Sequence, residues 1–168
     1  MACRVLLALS LIAGVAASPG KFDRTLPRLN ARVVCWAWTW HGEQVGNGEC
    51  WTLADRALLV SGARRPGRGG LGLYEYGREL APGERLLPGD VMQMEGAVFL
   101  AADDAGRRYR QRFGHHTAVV LRVSGTRLAV LHSNHDGDRR VRLGFIDLAL
   151  RTEGGYHFFR PEPATDEE

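Results

Sequence analysis

The chain has 168 residues, enough for one domain with a hydrophobic core, and a net charge of +3 that is too small to indicate nucleic acid as a partner. Arginines form short clusters, which we interpret as solvated loops, with contact to an anionic surface as the alternative. Beyond residue 17 no run is apolar and long enough to cross a membrane, so we expect no stable membrane insertion. The composition gives no sign of the oligomeric state.

The first seventeen residues have the pattern of a secretory signal peptide. Arg4 precedes an apolar run over residues 5–15, and small residues lead to a predicted cleavage site after Ala17. The run is short for a membrane anchor, which needs about 20 apolar residues. We therefore expect a secreted or periplasmic protein whose mature chain begins at Ser18.

The sequence predicts four segments along the chain. They are the signal peptide, a linker, one folded domain and a frayed acidic tail, over residues 1–17, 18–30, 31–161 and 162–168. At the start of the domain, valines and tryptophans alternate over residues 31–40 and predict a strand. Apolar residues at helical spacing predict a helix over residues 51–60, which Gly62 ends.

Short β-prone runs follow the helix. A short strand is expected near residues 74–76, after a glycine-rich irregular stretch. Further strands are predicted over residues 91–94, 116–123, 127–134, 141–145 and 156–160. The turn at residues 124–126 joins two of these strands in a hairpin. This order predicts an α+β domain whose helix packs on one face of a small antiparallel sheet or half-barrel.

The segment over residues 44–51 has the features that a thiol nucleophile needs. Gln44 precedes Cys50 by six positions, with glycines between them and a predicted helix just after. Glycines let the backbone turn tightly and approach a substrate. A helix start lowers the pKa of a thiol, because its orphan N–H groups and the helix dipole favour the thiolate. The side-chain amide of Gln44 is a candidate hydrogen-bond donor to an oxyanion.

A cysteine nucleophile needs a base, and the base needs an orienting group. His116 opens a predicted strand, which places it at the rim of the sheet, where the helix start can face it. We therefore predict His116 as the base. On the returning strand, His132 and Asn134 share one face because side chains alternate. Their spacing does not separate them as the orienting residue, and we favour Asn134.

Two other interpretations of these residues remain. Cys35 and Cys50 can form a disulfide in an oxidising compartment, although a disulfide would not explain the histidines. Several side chains can also bind zinc: His115, His116, His132, His135 and Asp136. Their spacing matches no compact zinc motif, and the sequence has no phosphate loop or dinucleotide fingerprint. We predict neither a metal site nor a cofactor.

Four motifs, taken together, carry a family resemblance. They lie at residues 44–54, 88–91, 115–120 and 130–134. Their order and spacing resemble the compact papain-like cysteine peptidases of the NlpC/P60 and CHAP type. They also resemble the cysteine-proteinase-fold domain at the C-terminus of the fungal BBC1/AIM3 proteins. The resemblance covers roughly residues 31–161.

The resemblance implies a papain-like fold and hydrolysis of an amide bond through an acyl-thioenzyme, with a peptide or peptidoglycan substrate. The roles that it implies are nucleophile for Cys50, base for His116, orientation of the base for His132 or Asn134, and oxyanion binding for Gln44. Glu49 adjoins the nucleophile, where its negative charge opposes thiolate formation. A second hypothesis is therefore an inactive binding or structural module with the same fold.

Overall fold

The computed structural model describes residues 25–68, 74–102 and 105–164. The predicted signal peptide lies outside these residues. Two helices come first, α1 (Arg28–Thr39) and α2 (Cys50–Ser61). The strands are β1 (Gly67–Arg68), β2 (Tyr74–Glu75), β3 (Arg78–Glu79), β4 (Val91–Ala102), β5 (Arg108–Ser124), β6 (Arg127–His132), β7 (Arg142–Asp147) and β8 (Arg151–Arg160). No helix within the described ranges is long and apolar enough to span a membrane.

The main sheet is antiparallel, with strand order β3-β8-β4-β5-β6-β7, and β1 pairs with β2. Both helices pack on one side of this sheet, which we call the helix face, where Val91 and Val119 join Leu53 of α2 in one buried cluster. The opposite side, which we call the inner face, buries a second cluster that includes Met92 and Ala118. Burial of apolar surface, worth roughly 25 cal/mol per Å², stabilises both layers. The predicted α+β architecture is confirmed.

Helix α1 replaces the strand predicted over residues 31–40, and that prediction is wrong. Val33, Val34 and Ala37 are fully buried at helical spacing and pack in the helix-side cluster. The alternation of valine and tryptophan resembles a strand, but burial of this helical stripe overrides the weak local preference. The helix begins at Arg28, inside the predicted linker.

The hairpin of β4 and β5 is much longer than the strands predicted over residues 91–94 and 116–123. His116 consequently lies within β5 and not at its start, which corrects the prediction. Gly96 has a left-handed φ of 56°, and the side-chain alternation changes phase there, since Met94 and Ala97 both belong to the inner cluster. The change of phase interrupts the period-two pattern, so the sequence gives no continuous strand signal.

Asp90, at the end of the predicted turn before β4, joins three parts of the fold. Its fully buried carboxylate accepts hydrogen bonds from Asn30 Nδ2 at 2.8 Å and from the Leu87 N–H at 2.8 Å. Arg160 of β8 donates to the same carboxylate from Nε at 3.1 Å and from Nη2 at 2.9 Å. The carboxylate therefore fixes α1 and β8 against the start of β4.

The close approach of α1 to Gly89 gives a test of this packing. An added Cβ at Gly89 would lie 2.2 Å from the Asn30 carbonyl oxygen, whereas Gly83 has open space around the same position. Both glycines have nearly the same φ, 86° and 83°, so conformational strain is matched. We expect Gly89→Ala to lower the free energy of unfolding by about 2 kcal/mol more than Gly83→Ala, measured by urea denaturation. Equal losses for the two variants would contradict the close contact.

Candidate active site

The loop before α2 is shaped by glycine and held in place by asparagine. Gly48 has a φ of 76°, and an added Cβ there would lie 2.6 Å from Arg139 Cβ, so no other residue fits without a shift. Asn47 Oδ1 accepts hydrogen bonds from the Glu49 N–H at 3.1 Å and from Thr52 Oγ1 at 2.6 Å. These bonds tie the loop to the backbone of the N-cap residue, Glu49, and to the Thr52 side chain in the first turn of α2.

The same loop is fixed to the segment that follows β6. Ser133 Oγ donates to the Glu49 carbonyl oxygen at 3.2 Å, and Asn134 Nδ2 donates to the Glu49 carboxylate at 2.7 Å. Arg139 donates to the Asn47 carbonyl oxygen at 2.9 Å and lies 3.3 Å from the Glu49 carboxylate. We call these contacts among Asn47, Glu49, Ser133, Asn134 and Arg139 the loop clamp. The clamp holds the start of α2 beside the end of β6.

Cys50 is the first residue of α2, and only 8% of its surface is exposed. Its Sγ atom lies 3.9 Å from the carbonyl oxygen of His115 and also receives the backbone N–H of Thr117. These two groups flank His116 in the chain. Strand β6 pairs with β5 only from Val119 onwards. The edge of β5 before Val119 is therefore not covered by β6, and the thiol of Cys50 can contact it.

His116 and His132 form a buried pair next to this edge. His116 Nε2 lies 2.9 Å from His132 Nδ1, and each residue is 5% exposed. Phe113 packs on the ring of His116 with centroids 5.2 Å apart, and the ring of His135 is 5.9 Å away. The bond to His132 occupies Nε2 and leaves Nδ1 as the second ring nitrogen of His116. The role of His116 as the base stays a prediction.

Asn134 does not orient His116, so our preference for it over His132 is wrong in this structure. Its side chain binds Glu49, as described above, and His132 occupies the position beside the imidazole. Strand β6 ends at His132, and Asn134 has a left-handed φ of 55°. The chain has therefore left the strand before Asn134, and the alternation of strand side chains no longer applies to it.

Gln44 lies in the glycine loop with an exposed side chain. Its Nε2 donates to the Gly46 carbonyl oxygen at 3.0 Å, and its Cδ is 3.1 Å from the position of an added Cβ at Gly48. The amide thus lies on the loop that leads into Cys50. Its role as a donor to an oxyanion stays a prediction.

Comparison with known proteins connects this geometry with a family. Residues 20–166 match the model of the AIM3/BBC1 cysteine-proteinase-fold domain. The chain belongs to this family. It is similar to Altered inheritance of mitochondria protein 3 from Debaryomyces hansenii, with 30% identity over 153 residues, covering 82% of this chain and 16% of that protein. The chain therefore spans only a small part of that relative.

Among solved structures, the AIM3/BBC1-type domain is similar to the crystal structure of Ly7917. The TM-score is 0.53 at 19% identity, over 77% of this chain and 62% of that chain. Ly7917 with the hydrolyzing product of MDP gives a TM-score of 0.49 at 20% identity, over 79% and 63%. At 19% identity the likeness to the first structure concerns the fold alone. The papain-like fold is confirmed, and the NlpC/P60 and CHAP type stays a prediction.

A second polar network of this AIM3/BBC1-type domain lies on the helix face of the same strands. Thr117 Oγ1 donates to Gln93 Oε1 at 2.8 Å and accepts from the Tyr76 hydroxyl at 2.9 Å. Gln93 Nε2 lies 3.3 Å from His115 Nε2, and His115 Nδ1 lies 2.8 Å from Glu95 Oε1. Adjacent histidines of β5 therefore belong to different networks, and only His116 is bonded to His132.

Burial controls the charge state of the thiol. Desolvation raises the pKa of Cys50, the negative charge of Glu49 raises it further, and the backbone N–H groups of Thr117 and Trp51 only partly oppose this. The expectation that the helix start gives a lowered thiol pKa is therefore wrong. The resting residue is a thiol at neutral pH.

Burial acts on the histidines in the opposite direction. It lowers the pKa of His116 to about 3 and that of His132 to about 4, and the neighbouring rings, including that of His135, add to the shift. Both rings are thus neutral at pH 7, because a buried imidazolium loses its hydration. Cys50 and His116 are therefore both neutral, with the thiol against the backbone of β5 and the imidazole on the inner face of the sheet.

The other interpretations of these side chains find no support in the geometry. Cys35 and Cys50, both among the described residues, are not joined by a disulfide. Within the described ranges no three side chains of the histidine, cysteine and acidic types are arranged to hold a metal ion.

Sequence reasoning missed two residues that build the site. Asn47 carried a usable signal, because an asparagine side chain often accepts from the backbone N–H two residues further on, as it does here from Glu49. Arg139 carried none, because its contacts with Asn47 and Glu49 span about ninety positions of the chain.

The buried histidines predict a specific loss of stability in acid. Their pKa values are lower in the folded chain than the ordinary 6.5, so the unfolded chain binds more protons below pH 6.5. Stability then falls by about 1.4 kcal/mol per pH unit for each such histidine as the pH drops from 6.5 towards the folded pKa. We expect His116→Gln to lose less stability between pH 6.5 and pH 4.5 than the native chain, measured by urea denaturation.

The control for this experiment is His157→Gln, which changes a partly exposed histidine that contacts Glu79 far from the pair. We expect its pH dependence to match that of the native chain. An unchanged slope in His116→Gln would contradict a neutral buried His116.

Proposed function

We propose that this domain is a thiol hydrolase that cleaves amide bonds through an acyl-thioenzyme on Cys50. The observation that carries the proposal is the 2.9 Å contact between His116 Nε2 and His132 Nδ1, next to the edge of β5 that the thiol meets. In this proposal His116 serves as the base and His132 as its orienting group, which a cysteine nucleophile requires. The fold of the AIM3/BBC1 cysteine-proteinase-fold family supports this arrangement.

The two histidines support one consistent tautomer. When His116 Nε2 carries the proton, it donates to His132 Nδ1, and His116 Nδ1 is an acceptor. His116 Nδ1 then takes the proton of Cys50 as Sγ attacks the carbonyl carbon of the substrate. The C–S bond forms while the carbonyl electron pair moves to oxygen. His132 acts through His116 and is a positioning residue.

The remaining steps use the same imidazole. His116 gives the proton to the amide nitrogen as the C–N bond breaks, which leaves a thioester on Cys50. A water molecule then gives a proton to His116 and attacks the thioester carbon. The C–S bond breaks, the acid product leaves, and the thiolate recovers the proton from His116.

The start of α2 offers stabilisation for the oxyanion of both steps. The thiol receives the backbone N–H groups of Cys50 and Trp51, which belong to the first turn of the helix. Orphan N–H groups at this end of a helix favour negative charge. Gln44 on the preceding loop is the proposed second donor, after its amide turns from the Gly46 carbonyl oxygen.

The substrate class that we propose is a peptide, with peptidoglycan peptides as one candidate. Cys50 is only 8% exposed, which favours an extended polypeptide that reaches the thiol along the open edge of β5 over a bulky globular substrate. The chain covers only 16% of its relative from Debaryomyces hansenii. Any activity of that whole protein is therefore also only a proposal for this chain.

A second candidate function is a binding or structural module without turnover. Its supporting observation is the raised pKa of the buried Cys50 thiol, to which Glu49 contributes. In this case Cys50 contributes only to packing, and the pair of His116 and His132 contributes only to packing on the inner face of the sheet.

Adjacent histidines give a matched test of the proposed hydrolase. The full chain is assayed under reducing conditions against a fluorogenic peptide library and against peptidoglycan peptides. We expect Cys50→Ala and His116→Ala to lower kcat/KM by at least about 100-fold and His132→Ala by about tenfold. His115→Ala, which leaves the bond between His116 and His132 in place, should lower it less than about threefold.

The same assay separates the two candidate functions. Hydrolysis by a neutral thiol and a neutral imidazole should keep kcat level between the pKa of His116 and that of the thiol, and lower kcat above the thiol pKa, because the proton for the leaving amine is then lost. Activity that survives in Cys50→Ala, or that depends on His115 and not on His116, would contradict the proposed roles.

We also propose that residues 1–17 direct secretion. The support is the apolar run over residues 5–15 followed by small residues. Expression in a secretion-competent host should give a chain whose N-terminal sequence begins at Ser18. A chain that stays inside the cell with Met1 intact would contradict secretion.

A further inference from the structure

We propose that the β4–β5 hairpin binds an extended acidic polypeptide along a row of arginines that leads to the thiol. Arg108, Arg110 and Arg112 follow one another at every second position of β5, and all three are exposed. Residues two apart on a strand point to the same side, so the three guanidinium groups form one line. Their spacing along the strand is about 6.7 Å for each pair of residues. We call these three residues the arginine row.

The arginine row lies on the side of the hairpin that continues the helix face. Phe113 belongs to the inner cluster, so its neighbour Arg112 points to the opposite side. Glu153 of β8 pairs in register with Val98 of β4, and Val98 pairs with Arg112 of β5. The carboxylate of Glu153 lies 3.3 Å from Nη1 of Arg110. This contact confirms that the arginines and Glu153 share that side.

The row leads towards the candidate active site. Arg112 precedes His115 by three residues, a rise of about 10 Å along the strand. The His115 carbonyl oxygen contacts the Cys50 thiol, as described above. A polypeptide that lies along the row therefore approaches the thiol from one direction, with its chain parallel to β5.

An extended peptide matches the shape and chemistry of this surface. Its own side chains point to one side at every second residue, with the same spacing as the arginines. Beside the row, β4 offers a second line of apolar side chains on the same face, where Leu100 pairs with Arg110 and is 37% exposed. A peptide with acidic residues at alternate positions can thus pair with the arginines and cover Leu100. Glu153, the partner of Arg110, is half-exposed, so the contact between these two residues is weak and easily replaced.

Two other anionic partners fit less well. Single-stranded nucleic acid is usually bound by aromatic rings between the cations. Phe99 and Phe113 of this hairpin are buried in the inner cluster, and Tyr109, which is 47% exposed, lies between Arg108 and Arg110 in β5 and so points to the opposite side. A membrane surface favours cations spread over a plane, whereas these lie in one line. An acidic polypeptide is therefore the partner that the surface favours.

Binding is tested without turnover, so the test does not depend on the proposed hydrolase. The full chain with Cys50→Ala is titrated against a fluorescein-labelled ten-residue peptide of alternating glutamate and valine, followed by anisotropy. The combined substitution Arg108→Gln, Arg110→Gln and Arg112→Gln should raise Kd by about tenfold, because it removes three exposed ion pairs. The matched control, Arg56→Gln, Arg122→Gln and Arg127→Gln, removes equal charge from exposed arginines outside the arginine row and should change Kd by less than about twofold.

The second part of the experiment repeats the titration with a ten-nucleotide uridine RNA and with vesicles containing phosphatidylserine. We expect both to bind more weakly than the peptide. Equal losses of peptide binding in the two triple variants would show an effect of net charge alone and overturn the proposal. Tighter binding of the RNA or the vesicles, or no binding of the peptide, would overturn it as well.

Discussion

The loop clamp is the constraint on which the candidate site depends. It fixes the main chain at Asn47 and Glu49 to the segment just after β6, through bonds from Ser133, Asn134 and Arg139. Cys50 follows Glu49 directly in the chain. Strand β6, which the clamp adjoins, ends at His132, the residue that is bonded to His116. One set of contacts thus brings a helix start and a strand end, far apart in the chain, to the same open edge of β5.

The clamp also determines what Glu49 does. Its carboxylate is held by Asn134 and Arg139, so the negative charge next to the nucleophile is partly balanced while the side chain serves as structural support. The thiol meanwhile is buried, and desolvation outweighs the N–H groups at the helix start. Helix position alone therefore does not create a reactive thiolate. In the proposed mechanism, the thiol becomes nucleophilic only as its proton passes to His116 when substrate is bound.

The sequence predicted secondary structure correctly where a local pattern of apolar residues reflects burial directly. Helix α2 and its end at Gly62 follow from helical spacing and from a left-handed φ of 76° that favours glycine. Local patterns failed where long-range packing decides. The strand predicted for α1 is one case, and the choice of Asn134 over His132 is another, because that choice required knowledge of where β6 ends. The raised pKa of Cys50 depends on burial by distant residues, which no motif over residues 44–51 reveals.

The most direct test of a neutral Cys50–His116 pair is the rate of alkylation of Cys50 by iodoacetamide as a function of pH. It is followed by mass spectrometry in a chain with Cys3→Ser and Cys35→Ser. We expect slow alkylation at pH 6, slower than that of a free thiol, and a rate that rises with pH beyond the ordinary thiol value of about 8.5. A fast, constant rate between pH 4 and pH 7 that disappears in His116→Ala would reveal a thiolate–imidazolium pair and contradict this expectation.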